Sequence, residues 1–115
     1  MTPRERLTWL SGTLGLADES QDWGIINADA ERLDEFVRFL DDTDLAPTEV
    51  FELVGLVLAS ANERLLEDPE ADLDSAMRAV ARHLEAAEFH LSYWRSLDDP
   101  LEFPLGSWLR RRESD

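Results

Sequence analysis

The sequence lacks cysteine and lysine, and it has no long apolar run. Without cysteine there can be no disulfide framework, no thiolate zinc site and no cysteine nucleophile. The longest apolar-rich stretch, residues 50–61, is interrupted by Glu52, Gly55 and Ser60, so it is too short and too polar for a membrane span. No charged and then apolar leader opens the chain, which favours a cytoplasmic protein that does not associate with membranes.

Positive charge is scarce as well. The 115 residues include 26 Asp or Glu against 11 Arg, which gives a formal net charge of -15. An acidic surface repels phosphate groups, so we expect no direct binding of nucleic acid. The apolar fraction of 43%, with four Trp and five Phe, is close to that of globular proteins and argues against disorder. The length suits a single helical domain over residues 1–115.

Two helices are predicted before residue 41 from their N-terminal caps and apolar spacing. Thr2 and Glu5 have the spacing of a capping box, which predicts a helix over residues 3–14. Asp29 is a good N-cap for a second helix over residues 30–40, whose apolar residues recur at helical spacing.

The third predicted helix covers residues 47–67 and begins at Pro47, a residue favoured in the first helical turn. Its apolar residues cover more than half of its circumference, which is typical of a central helix with several neighbours. Gly55 weakens the helix interior, and a close helix crossing would explain it. The remaining narrow stripe contains four Glu, with Leu56 in its middle.

The fourth predicted helix has an uninterrupted heptad pattern. Apolar residues alternate steps of four and three, at Leu73, Met77, Val80, Leu84, Ala87, Leu91 and Trp94. No Pro or Gly interrupts this pattern before Pro100, so it predicts one long C-terminal helix over residues 73–97, followed by a short irregular tail over 98–115. An all-α, four-helix, mostly antiparallel bundle would bury the four apolar stripes.

The linker between the first two helices is polar in its first half and apolar in its second, Trp23-Gly24-Ile25-Ile26. One interpretation is an apolar plug that covers an end of the bundle, since burial of apolar side chains is favourable. The other is a partner-binding loop that includes Trp23.

Known catalytic and cofactor motifs are missing from the sequence. It contains no Gly-rich phosphate loop, no HExxH and no GxSxG, so we expect neither an enzyme nor a bound cofactor. A metal-binding helical protein is the lesser alternative. It would depend on His83 and His90, seven residues apart on one predicted helix face, and on the turn Asp41-Asp42-Thr43-Asp44. Neither group has the spacing of a known metal site.

The negative charge is concentrated in one part of the chain. Residues 29–68 contain three Arg and twelve acidic residues, which is -9 of the total of -15. This concentration predicts an acidic docking face for a basic protein partner, with a few apolar anchors; a merely solubilising face is the alternative. The candidate partner-binding residues are Asp34, Asp41, Asp42, Asp44, Glu49, Glu52, Glu63 and Glu67, with Leu56 and Trp23 as anchors.

In size, charge and helix content the chain resembles small acidic immunity proteins, which neutralise basic nuclease toxins, although no motif assigns it to that family. This resemblance implies an inhibitor-like binding protein with a basic protein partner. The alternative is a structural or oligomeric module, in which the stripe over residues 73–94 pairs with a second copy as a homodimer.

Overall fold

The computed structural model describes residues 2–114, with side chains for 2–113, and this part of the chain is helical without any strand. The all-α prediction is therefore confirmed, but there are more helices than the four predicted. The elements are α1 Pro3–Leu14, α2 Trp23–Ile26, a 3-10 helix Ala30–Arg32, α3 Leu33–Asp42, α4 Pro47–Glu67, α5 Asp74–Ala81, α6 Leu84–Arg95 and α7 Pro104–Ser114.

Helix α4 is the centre of the fold, as its wide apolar coverage predicts. Every other helix packs against it. Leu53, Val54, Val57 and Leu58 are fully buried, together with Ala61 one turn further on. The predicted and observed bounds of α4 agree, because Pro47 starts the helix and the apolar pattern continues to its end.

Helix α1 also has the predicted bounds, and its capping box forms. The Glu5 amide donates to Thr2 Oγ1 at 3.1 Å, and the Thr2 amide donates to Glu5 Oε1 at 2.9 Å. At the other end Gly15 has a φ of 67°, the left-handed conformation that ends helices most easily with glycine.

The second predicted helix has different bounds in the structure. Asp29 Oδ1 accepts a hydrogen bond from the Glu31 amide at 3.0 Å and so caps a 3-10 turn, which leads into α3. Helix α3 then continues to Asp42 and not to residue 40. Asp41 and Asp42 therefore lie in the last helical turn, so the predicted turn over residues 41–44 is wrong for its first two residues.

The predicted long helix over residues 73–97 is wrong, because the chain breaks it between Ala81 and Leu84. No Pro or Gly marks the break. Amides of residues 82 and 83 bond to carbonyls three residues back, which tightens and ends α5. Tertiary packing accounts for the break: α5 packs against α3, whereas α6 packs against α7. At the break the heptad position Leu84 is 78% exposed, whereas the next heptad position, Ala87, is buried.

This break also affects the proposed homodimer stripe. Leu73, Val80 and Trp94 are at most 5% exposed and belong to the chain's own core. Much of the stripe is thus covered within one chain, whereas Leu84 in its middle remains exposed.

The predicted irregular tail contains the helix α7. Asn62 of α4 holds its start: Asn62 Oδ1 accepts from the Leu105 amide at 3.0 Å, and Asn62 Nδ2 donates to the Glu102 carbonyl at 3.2 Å. The next residue, Gly106, lies directly against the carbonyl oxygens of Trp94 in α6 and of Leu97 just after it. The buried side-chain amide of Asn62 thus stabilises the start of α7, a helix that the sequence of residues 98–115 does not predict.

No helix in residues 2–114 is long and apolar enough to cross a membrane.

Candidate functional site

The linker after α1 covers the middle of the narrow α4 stripe that contains four Glu and Leu56, which the sequence predicts to be at the surface. A Cβ on Gly24 would lie only 2.9 Å from Gly55 C and Leu56 N, so the backbone of α2 rests directly on α4. Further along, the Asp29 amide donates to Ser60 Oγ at 3.0 Å. Leu56 and Ser60 are consequently fully buried, and the prediction that Leu56 is an exposed anchor is wrong.

Trp23 is likewise an internal residue and cannot contact a partner in this conformation. Its indole Nε1 donates to Ser11 Oγ at 2.8 Å, inside the contact between α1 and α2. Trp23 is therefore buried, as the plug interpretation expects, but α2 lies against the middle of α4 and not over an end of the helices. The next two apolar residues of the linker, Ile25 and Ile26, are more than half exposed.

Glu49 has a structural role within the fold. Its side chain is buried, and Oε1 accepts a hydrogen bond from the Ala46 amide at 2.8 Å, at the start of α4. Arg6 Nη1 lies 3.5 Å from the same carboxylate oxygen. Because this carboxylate is covered and paired, its expected position on an open docking face is wrong.

The acidic residues of α3 lie on a different surface, which carries both signs of charge. Asp34 pairs with Arg64 at 3.2 Å, and Asp41 pairs with Arg82 at 2.5 Å. Asp34 and Asp41 line a depression that also contains Arg38, Arg78 and Arg82. Two of the twelve acidic residues counted over residues 29–68, Asp34 and Asp41, are thus paired with Arg. Asp42, Asp44 and Glu67 are exposed.

Glu52 and Glu63 are the two predicted residues that lie beside an exposed apolar surface. This surface is a groove between α2 and α6, with α4 as its floor. Two adjoining depressions, of about 330 and 550 Å³, share Ile25, Tyr93 and Trp94 in their walls. We call it the apolar groove and define it by its large exposed side chains, Ile25, Leu66, Phe89, Tyr93 and Leu101.

Carboxylates surround the apolar groove. We call them the acidic rim: Asp22, Glu52, Glu63, Asp99 and Glu102. The seven ion pairs found among the described residues all use other carboxylates, so none of the rim carboxylates is neutralised by an Arg of residues 2–114. Glu52 is only partly exposed, and burial raises the pKa of its carboxyl because the charged form is poorly solvated.

His90 supports one wall of the groove. Its ring stacks against Phe51, with centroids 4.4 Å apart, and meets Phe89 edge-on at 5.5 Å. His90 Nε2 lies 2.9 Å from the Phe51 carbonyl oxygen, to which a protonated Nε2 donates. Burial lowers the pKa of His90, and the hydrogen bond to Phe51 partly offsets this effect. The ring of His90 thus contacts both Phe51 and Phe89 at this wall.

The metal-site alternative gains no geometric basis from the structure. His83 lies at the break before α6, so His83 and His90 do not share a continuous helix. Within residues 2–114, no group of three or more His, Asp or Glu side chains is arranged to hold a metal ion.

The chain matches no protein-family model, and no curated protein or solved structure is significantly similar to it. The groove residues themselves must therefore support any assignment of function.

Of the apolar residues that define the groove, only Ile25 belongs to a segment that the sequence suggests as partner-binding, the linker before the second predicted helix. Phe89 and Tyr93 lie off the heptad positions of the predicted long helix. Their spacing of four residues, away from the heptad positions, is the available signal for a second apolar face on α6. Ile25 lies in the linker and Leu101 in the loop before α7, where helical periodicity gives no information.

Proposed function

We propose that the chain is a binding protein, not an enzyme, and that it docks a basic protein partner in the apolar groove. The observation that carries this proposal is the combination of exposed apolar side chains with five rim carboxylates that have no ion-pair partner in residues 2–114. An inhibitor of the immunity type, which neutralises a basic toxin or enzyme, is the functional class that best fits these features.

The two parts of the site would act at different stages of binding. The net charge of -15 attracts a basic protein over long distances and speeds the encounter. Burial of Ile25, Phe89 and Tyr93 would then supply most of the affinity, because large apolar and aromatic side chains dominate interface energetics. The rim carboxylates would pair with Lys or Arg of the partner around this apolar centre.

A second copy of the chain fits the groove less well than a basic partner. Both copies would carry a charge of -15, and both would present the same rim of carboxylates. Like charges brought together at an interface oppose association. Charge complementarity therefore favours a different, positively charged occupant.

Affinity capture with matched variants tests whether the groove binds a partner. The baits are the wild-type protein, Tyr93→Ser in the groove, and Leu84→Ser, which changes an exposed residue of the same helix outside the groove. We expect wild type and Leu84→Ser to retain the same basic protein and release it when salt is raised, whereas Tyr93→Ser loses it. Capture of the same proteins by Tyr93→Ser as by wild type would overturn the proposal.

A second comparison separates the acidic rim from the rest of the predicted acidic face. Glu52→Gln with Glu63→Gln removes two charges from the rim, and Asp44→Asn with Glu67→Gln removes two exposed charges elsewhere. With the captured partner, we expect only the rim pair to slow association markedly and to weaken its salt dependence. Equal effects of the two pairs would indicate that general negative charge, and not the groove, guides binding.

A further inference from the structure

We infer that the partner segment in the apolar groove is an amphipathic helix of about four turns, with basic residues near both ends and apolar residues between them. This inference rests on the proposed function. It adds the kind of segment that binds and the spacing of its charges.

The length of the segment follows from the floor of the groove. The α4 residues that line it share one helix face: Glu52, Gly55, Ala59, Asn62 and Leu66 recur at steps of three and four, and Glu63 lies beside Asn62. From residue 52 to residue 66 the helix rises about 21 Å at 1.5 Å per residue. Ala59 is buried and Gly55 lies against Gly24 and His90, so a partner helix would lie above this floor, between the two walls of the groove. It needs about 14 residues to span the same length.

The position of the charges follows from the two ends of the groove. Asp22 and Glu52 line the depression at one end, whereas Glu63, Asp99 and Glu102 line the depression at the other. Along α4, Glu52 and Glu63 are separated by about 16 Å. Basic residues about eleven positions apart on a partner helix would therefore meet both groups of carboxylates.

The middle of the groove favours a helix over an extended segment. Ile25 and Tyr93 line both depressions and so present apolar surface where the two depressions meet. The side chain of Asn62, a polar group in this lining, is already bonded to the backbone of residues 102 and 105. A helix satisfies its backbone hydrogen bonds internally, whereas an extended backbone on this apolar surface would lose the hydrogen bonds it makes with water. Apolar residues at helical spacing can enter both depressions at once.

Three synthetic peptides test this inference directly. The first is a helix of about 16 residues with apolar residues on one face and Arg about eleven positions apart at its ends. The second is the same peptide with proline at two central positions of the opposite face, which keeps the charges and anchors but prevents a helix. The third has its two Arg groups only about four positions apart. Isothermal titration calorimetry measures the Kd of each peptide, with Leu84→Ser and Tyr93→Ser as the protein controls.

We expect the first peptide to bind wild type and Leu84→Ser equally, and to gain helical circular dichroism on binding. The proline peptide and the short-spacing peptide should bind wild type with a Kd at least about tenfold higher, which corresponds to about 1.4 kcal/mol. The first peptide should bind Tyr93→Ser with a similarly increased Kd. Ile25→Ser on the opposite wall replaces Tyr93→Ser if the latter loses its native circular dichroism.

Two results would overturn the helix inference and leave the proposed function standing. One is a proline peptide that binds within about twofold of the first peptide, since an extended segment would then suffice. The other is absence of binding by all three peptides while capture of the native partner still depends on Tyr93. If capture is also independent of Tyr93, the proposed function fails as well.

Discussion

Substituting Gly24 with alanine tests how closely α2 packs on α4. A Cβ at this position would lie 2.9 Å from both Gly55 C and Leu56 N, and 3.2 Å from Gly55 O. Carbon atoms in favourable contact are about 3.5–4.0 Å apart, so α2 would have to move by about 0.5 Å or more. The opposing atoms belong to the backbone of the central helix and cannot rotate away, as a side chain could.

The expected change in the free energy of unfolding of Gly24→Ala is the difference between two effects. Overpacking of a dense contact costs about 1–3 kcal/mol. Alanine is a better helix former than glycine by about 0.8–1.0 kcal/mol, which offsets part of this cost. We therefore expect Gly24→Ala to lower the free energy of unfolding by about 1 kcal/mol, the middle of the range that this difference allows.

Gly12→Ala is the matched control in the same chain. Gly12 lies within α1 and does not adopt the left-handed conformation, and a Cβ added to it would meet no atom within 4 Å. The same substitution should therefore stabilise the protein, by about 0.5–1 kcal/mol. Urea denaturation followed by far-UV circular dichroism measures both variants. If Gly24→Ala were as stable as wild type, or gained stability as Gly12→Ala does, the close contact between α2 and α4 would be refuted.

Two further substitutions test the interior. Ser11→Ala removes the acceptor of the buried Trp23 Nε1–H and should lower the free energy of unfolding, measured by urea denaturation, by about 1–3 kcal/mol. The control Thr13→Ala removes an exposed hydroxyl from the same helix and should cost under about 0.5 kcal/mol. Equal losses of stability in the two variants would contradict the buried hydrogen bond. His90→Gln tests the lowered pKa of the His90 ring. Below the ordinary histidine pKa of about 6.5 the unfolded chain binds a proton more readily than folded His90 does, so the wild type should lose stability relative to the variant as the pH falls through this range. A constant difference in the free energy of unfolding between about pH 7.5 and about pH 5.5 would refute the lowered pKa.

Local signals predicted the helices that depend mainly on local interactions. The bounds of α1 follow from the Thr2 and Glu5 capping box, and those of α4 from Pro47 and a continuous apolar pattern. These interactions join residues within one or two helical turns, so neighbouring positions in the sequence contain the necessary information.

The break between α5 and α6 could not be predicted in this way. The heptad pattern over residues 73–94 continues through Arg82 and His83 without Pro or Gly. The chain departs from it because α5 packs against α3 while α6 packs against α7. Helical propensity differences are small, so such tertiary contacts override them.

The candidate site depended even more on distant contacts. In the sequence, most of the excess negative charge lies in residues 29–68. In the structure, however, Asp41 is paired with Arg82, and Glu49 lies close to Arg6. Of the ten candidate residues, Glu52 and Glu63 line the groove on its exposed apolar side. Trp23 lines it from the interior, where it is buried. A count of charges cannot show which of them are neutralised by residues far away in the sequence.

The sequence by itself determined the helical composition, the strong negative charge and the central position of α4, because each follows from composition or from local periodicity. Tertiary structure decided which surfaces remain open. The contact between Gly24 and Gly55 buries Leu56 and leaves Ile25 exposed opposite Tyr93, and so forms the apolar groove. The hydrophobic effect is non-directional and favours burial of any apolar side chain. Only the packing of all the helices therefore determines which apolar side chains stay exposed to a partner.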